Sequence, residues 1–155
     1  MTAWGERLES LGCRSYLVDI GGEVRTLGLG PKGGPWRIGI EQPDGSPPKW
    51  VLRLSGHAAA TSGDYRNFRL LDGRRASHAI DPRTGAPVLH ALASVTVVAA
   101  SAAQADGLAT AILVLGPDAG WRFARRERVA ALLLVRGASG IEHRYTESMS
   151  RFLEP

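Results

Sequence analysis

The chain has 155 residues, 44% of them apolar and 22% charged, a globular balance with enough length to bury a core without disulfides or a metal staple. Its single cysteine, Cys13, excludes an internal disulfide framework and any multi-cysteine metal site. The formal charge of +4 is carried almost wholly by arginine, and its one dense group, Arg122, Arg125, Arg126 and Arg128, has the spacing of a solvated helix face rather than a phosphate-binding stripe.

Taken in chain order, Ala3–Leu11 carries Trp4, Leu8 and Leu11 at amphipathic helical spacing and stops at Gly12. Short β-type runs follow at Ser15–Ile20, Val24–Leu29, Trp36–Ile40 and Trp50–Leu54. Gly21-Gly22, Pro31–Pro35 and Pro43–Pro48 separate them, and links this short predict an antiparallel meander. From His57 to Pro87 punctuating and polar residues dominate, which predicts functional loops. Ala91–Ala100 reads as a buried strand. Ser101–Leu115 reads as a helix capped by Ser101 and stopped by Gly116-Pro117, with a second helix over Asp118–Glu127. Val129–Arg136 and Ile141–Tyr145 close the chain as a hairpin. The expected class is α+β, a largely antiparallel sheet with packed helices, in one domain over residues 1–155. No apolar run reaches the length of a membrane span, and no secretory leader is present in this chain, which as written would stay in the cytoplasm.

Three segments carry candidate chemistry. Asp106 and Thr110 stand four apart in the helix, so a carboxylate and a hydroxyl share one face. Two oxygen donors at that spacing suit Mg²⁺; the bland alternative is a solvated Asp and a Thr bonded back to its own helix. In the loop Ser77–Gly85, His78 is a residue that titrates near neutral pH, and Thr84-Gly85 offers a hydroxyl and an approachable backbone N–H. The alternative there is a type I turn with Asp81 first and Pro82 second. Thr61–Tyr65 is equally compatible with a site or a hydrogen-bonded turn.

In succession, TSGDYRNF, HAIDPRTGAPV and SVTVVAASAAQADGLATA resemble the FAD:protein FMN transferase (ApbE) family. YLVDIGGEVRTLG and PWRIGIEQP upstream fit the same family in the same order, so the resemblance runs from about Trp4 to Val135. It implies an ApbE-like, T-fold-type architecture and Mg²⁺-dependent cleavage of FAD at its pyrophosphate. The FMN half would pass through a phosphoester to a threonine or serine of a target flavoprotein. Carried over, Asp106 and Thr110 would be metal ligands, and His78 would lie against the flavin as candidate base, making His78 and Asp106 the catalytic pair. Gly22, Glu23, Ser62, Gly63, Ile80, Thr84 and Gly85 would line the cofactor, with Glu23 standing where the family frequently has Asp.

Family members are longer, and the resemblance is to their C-terminal half. A glycine- and lysine-containing segment of the N-terminal half supplies further metal and FAD contacts. The helix at the first residues suggests coding sequence continuing upstream, and the export signal that many members carry would lie there. FAD hydrolysis to FMN and AMP, and a non-catalytic flavin-binding remnant, are the competing functions. No nucleic-acid partner is expected.

Overall fold

The structure is a computed structural model and describes residues 3–64, 68–71, 74–77 and 79–154. Its elements are α1 (Ala3–Ser10), β1 (Tyr16–Ile20), β2 (Glu23–Leu27), β3 (Trp36–Gly39), β4 (Val51–Leu54), β5 (Ala58–Gly63), β6 (Phe68–Leu71), β7 (Arg74–Ser77), β8 (Ile80–Asp81), β9 (Ala86–Pro87), β10 (Leu92–Ala99), α2 (Ala102–Arg126), β11 (Ala130–Gly137), β12 (Gly140–Tyr145), α3 (Glu147–Ser150) and β13 (Leu153–Glu154). Among the described residues, six strands form one antiparallel sheet in the order β1-β2-β5-β10-β11-β12. The class is the expected α+β.

The meander is corrected. β3 and β4 do not continue the sheet begun by β1 and β2; they pair with each other and with β13 in a second, three-stranded sheet. The proline-rich links on either side of β3 carry the chain out of the first sheet, whose vacated place beside β2 is taken by β5.

β5 is the second correction, because a central strand lies within the segment expected to be loops. Its sequence, AAATSG, has none of the β-branched runs or aromatics that mark strands. Tertiary packing explains it. Ala60 meets Ala105 and Ala109 of α2 in one core cluster, and small residues let helix and strand approach closely. β10 is apolar apart from Ser94 and Thr96 and buried along nearly its whole length, as a strand covered on both faces must be.

Alternate residues of the large sheet feed two cores. Val95, Val97, Ala131 and Leu133 pack under α2 with Ile112 and Leu113. Val98, Ala130, Leu132 and Leu134 pack on the other side with Leu52, Leu54, Met149 and Phe152. α2 begins as expected, with Ser101 accepting from the Gln104 backbone N–H at 3.2 Å. It breaks where expected too. Gly116 has φ 84°, a left-handed conformation that favours glycine, and Pro117 starts the second half.

The closing hairpin β11–β12 is present. α3 and β13 were not anticipated. Thr146 sets them: it is buried, donates to the Val129 carbonyl at 2.7 Å, and accepts from the Ala131 N–H at 3.1 Å. α1 forms as predicted, but Trp4 and Leu11 of its apolar stripe are each 64% exposed. No helix among the described residues is long and apolar enough to cross a membrane.

Candidate functional site

β2 pairs with β5 only at Val24–Ala59 and Arg25–Ala58. Beyond that point the β2 side of β5 has no strand partner among the described residues, and a cleft of about 420 Å³ opens there. One wall is apolar, built from Val24, Ile38, Ile40, Leu52 and Ala59. The other, on the α2 side, is polar, with Ser62 and Gly63 of β5 and Asp106 and Thr110 of α2, while Thr61 of β5 and Thr96 of β10 add hydroxyls on the apolar side. The Asp19–Gly22 turn edges it, closed by the Gly22 N–H donating to Asp19 Oδ1 at 3.0 Å.

Five predicted residues therefore share one cleft: Gly22, Ser62, Gly63, Asp106 and Thr110. The helix-face reading of the last two gains a specific contact. Thr110 Oγ1 lies 3.0 Å from Ser62 Oγ, so the hydroxyl is turned across to β5. A second hydroxyl pair, Thr61 Oγ1 and Thr96 Oγ1 at 2.8 Å, lies on the opposite face of β5, since successive strand residues alternate. Each hydroxyl keeps acceptor capacity beyond its one bond. Asp106 is exposed to the cleft, and no cation or donor among the described residues engages its carboxylate.

As a metal site, this donor set is a hard carboxylate and a hydroxyl. No cluster of three or more His, Cys, Asp or Glu side chains able to hold a metal occurs among the described residues. That composition fits Mg²⁺, which is commonly held by one or two carboxylates and takes its remaining oxygens from water and substrate phosphates.

The other predicted residues stand apart. Glu23 is exposed at the first position of β2, outside the cleft lining. Ile80, Thr84 and Gly85 belong to the β8–β9 hairpin, which is not part of the cleft wall. There the turn reading holds: the Thr84 and Gly85 N–H groups donate to the Asp81 carbonyl at 3.1 and 2.8 Å. Arg83 grips the Asp81 carboxylate through its side chain, Nε at 2.9 Å and Nη2 at 2.6 Å, and adds its backbone N–H at 2.9 Å. These bonds, the side-chain ones foremost, push the Asp81 carboxyl down to about 2. His78 lies outside the described residues.

Sequence reasoning missed Asp19, Glu41 and Thr96 as cleft residues and weighed Thr61 only as part of the Thr61–Tyr65 segment. Signals for Asp19 and Thr96 existed. Asp19 precedes Gly22 by three, the spacing of an Asx-type turn. Thr96 is a polar residue in a mostly apolar strand.

The arginine group is solvated, as expected. Arg125 lies 5.9 Å from the Trp121 ring centre and Arg126 pairs with Glu127 at 2.7 Å, all four being exposed.

The sequence profile of the ApbE family matches residues 3–133. The FAD:protein FMN transferase of Vibrio cholerae is 41% identical over 97% of this chain and 47% of its own length. That of Escherichia coli K12 is 38% identical over 94% of this chain and 42% of its own. Among solved structures, flavin transferase ApbE from Vibrio cholerae superposes with a TM-score of 0.85 at 40% identity, over 96% of this chain and 47% of that one. The apo form of Pseudomonas stutzeri flavinyl transferase ApbE gives 0.83 at 45% identity, over 95% and 46%. The chain belongs to the ApbE family and spans about half the length of the curated relatives it matches.

Proposed function

We propose that this chain carries the flavin- and metal-binding cleft of an FAD:protein FMN transferase, which moves FMN from FAD to a threonine or serine hydroxyl of a target flavoprotein. The observation that carries it is the gathering of Asp106, Thr110, Ser62 and Gly63 on one wall of a cleft whose facing wall is apolar. An apolar ring system joined to a pyrophosphate is a ligand with those two halves.

Asp106 and Thr110 would hold Mg²⁺. Bound there, the ion would neutralise charge on the pyrophosphate oxygens. Ser62 holds the Thr110 hydroxyl and so fixes the direction in which its free lone pair points. The transfer forms one bond, from the acceptor hydroxyl oxygen to the FMN-side phosphorus, and breaks the bond from that phosphorus to the bridging oxygen, which departs with AMP. The hydroxyl proton goes to a base, a role His78 fills on chemical type and place in the sequence. Catalysis of this kind is mainly positioning and charge stabilisation, and a helix and a central strand are rigid elements from which to supply both.

The test is an FAD titration of the 155-residue chain with and without Mg²⁺, followed by incubation with an acceptor flavoprotein and denaturing electrophoresis. Saturable binding that tightens with Mg²⁺, and flavin fluorescence that survives denaturation, are expected. Asp106→Ala should abolish the Mg²⁺ effect and slow transfer by roughly 10²–10³-fold, with stability within about 0.5 kcal/mol of the parent. Absence of FAD binding overturns the proposal for this chain. Release of FMN and AMP with no covalent flavin assigns hydrolysis instead.

A further inference from the structure

We propose that the Asp64–Arg136 ion pair positions the cleft-lining end of β5, acting on flavin binding through Thr61, Ser62 and Gly63 without touching the ligand; this rests on the flavin reading of the cleft. β5 needs such a device. From Ala60 to Gly63 it is paired with β10 on one side only, since β2 has already diverged. A strand with one open edge, carrying small side chains, is weakly specified at its free end. Here that end forms the polar wall.

Asp64 is the next residue, 6% exposed. Arg136 Nη1 donates to its Oδ2 at 2.8 Å, and Nη2 donates to its Oδ1, a two-pronged pair. The backbone repeats the tie. The Asp64 N–H donates to the Ala93 carbonyl at 3.0 Å, and the Arg136 N–H to the Ala91 carbonyl at 2.8 Å. Between those carbonyls β10 shifts register against β11, from Leu92–Val135 to Ser94–Leu134. The ion pair thus spans an irregularity in the middle strand and joins its two outer neighbours, β5 and β11. Bulges re-aim strands near functional sites, and a planar fork on a carboxylate fixes orientation as well as separation. An apolar pair would bury as well but would not set direction.

Two variants, Asp64→Asn and Arg136→Lys, test this beside Val98→Ala, a core control remote from the pair. Backbone hydrogen exchange is read at Thr61–Gly63 and at Val95–Val97, and FAD affinity is read by flavin fluorescence. Positioning predicts faster exchange confined to Thr61–Gly63 and FAD affinity weakened about tenfold, as for loss of one charged hydrogen bond. Val98→Ala should raise exchange throughout and leave affinity alone. Exchange raised uniformly in the pair variants, or unchanged at Thr61–Gly63, overturns the proposal, as does undiminished FAD affinity. Should Asp64→Asn fail to fold, Arg136→Lys decides, because it keeps the charge and removes the fork. If the parent chain binds no FAD, the function proposed above fails while the exchange pattern still decides the positioning role.

Discussion

The β5–α2 region and the β8–β9 hairpin both carry residues from the motifs that mark this family, yet they are held in different ways. β5 lies inside the large sheet and α2 lies across it, their contact made by Ala60, Ala105 and Ala109, none more than 2% exposed. Ser62 and Thr110 are carried on that rigid junction. The hairpin instead organises itself: the Asp81 carbonyl and carboxylate collect the Arg83, Thr84 and Gly85 donors within a few residues of sequence. Asp106 and Thr110, the oxygens proposed to hold a metal, need fixed geometry and sit where packing imposes it. Thr84 and Gly85 sit where local hydrogen bonds suffice, outside the cleft wall.

The largest effect is expected where the junction is packed. Leu133 is fully buried beneath α2. Leu133→Ala should cost about 2–5 kcal/mol in urea unfolding, by lost transfer energy and the cavity left behind. The same substitution should lower FAD affinity only to the extent that folded protein is lost. A loss of affinity greater than that would show the cleft to be strained open by its core.

Much of this junction was legible, and the reasons for the exceptions are physical. β10 announced itself by Val95, Val97 and Val98, and α2 by Ser101 at its start and Gly116-Pro117 at its break. Asp106 and Thr110 followed once the helix was placed, because four-residue spacing puts two side chains on one face. β5 stayed hidden because its alanines fit tight packing rather than strand propensity, Ala60 against α2 and Ala59 in the core on the opposite face. The second sheet was hidden for another reason: short links dictate antiparallel neighbours but not which layer the hairpin joins. Asp19 and Thr96 could have been found from turn chemistry and from a polar break in an apolar strand. The Asp64–Arg136 pair could not, since its partners are 72 residues apart.

A smaller effect is expected at the start of α2. Ser101 accepts from the Gln104 N–H and leaves one fewer unsatisfied donor in the first turn, one turn before Asp106. Ser101→Ala should cost about 1 kcal/mol. If chemical denaturation shows no loss, packing by Ala102 and Ala105 holds the helix start without the cap.

The smallest effect on the whole molecule is expected from the hairpin, and it is read by pH. Arg83 lowers the Asp81 carboxyl from 3.8 to about 2, so the ionised form is favoured in the folded chain. A group depressed in this way adds stability above its ordinary value, and that contribution fades as pH falls through about 2. Because the partners are neighbours in sequence and face solvent, the consequence is local: the turn loosens and the sheet does not. Following the Asp81 carboxyl by NMR should give a midpoint of about 2, and Arg83→Gln should return it toward 3.8 with the thermal midpoint unchanged at neutral pH. A midpoint that stays low in the variant would show that the backbone N–H groups, not the guanidinium, hold the carboxylate. A fall in thermal midpoint would mean that the hairpin and the β5–α2 junction unfold together, and the contrast between them would fail.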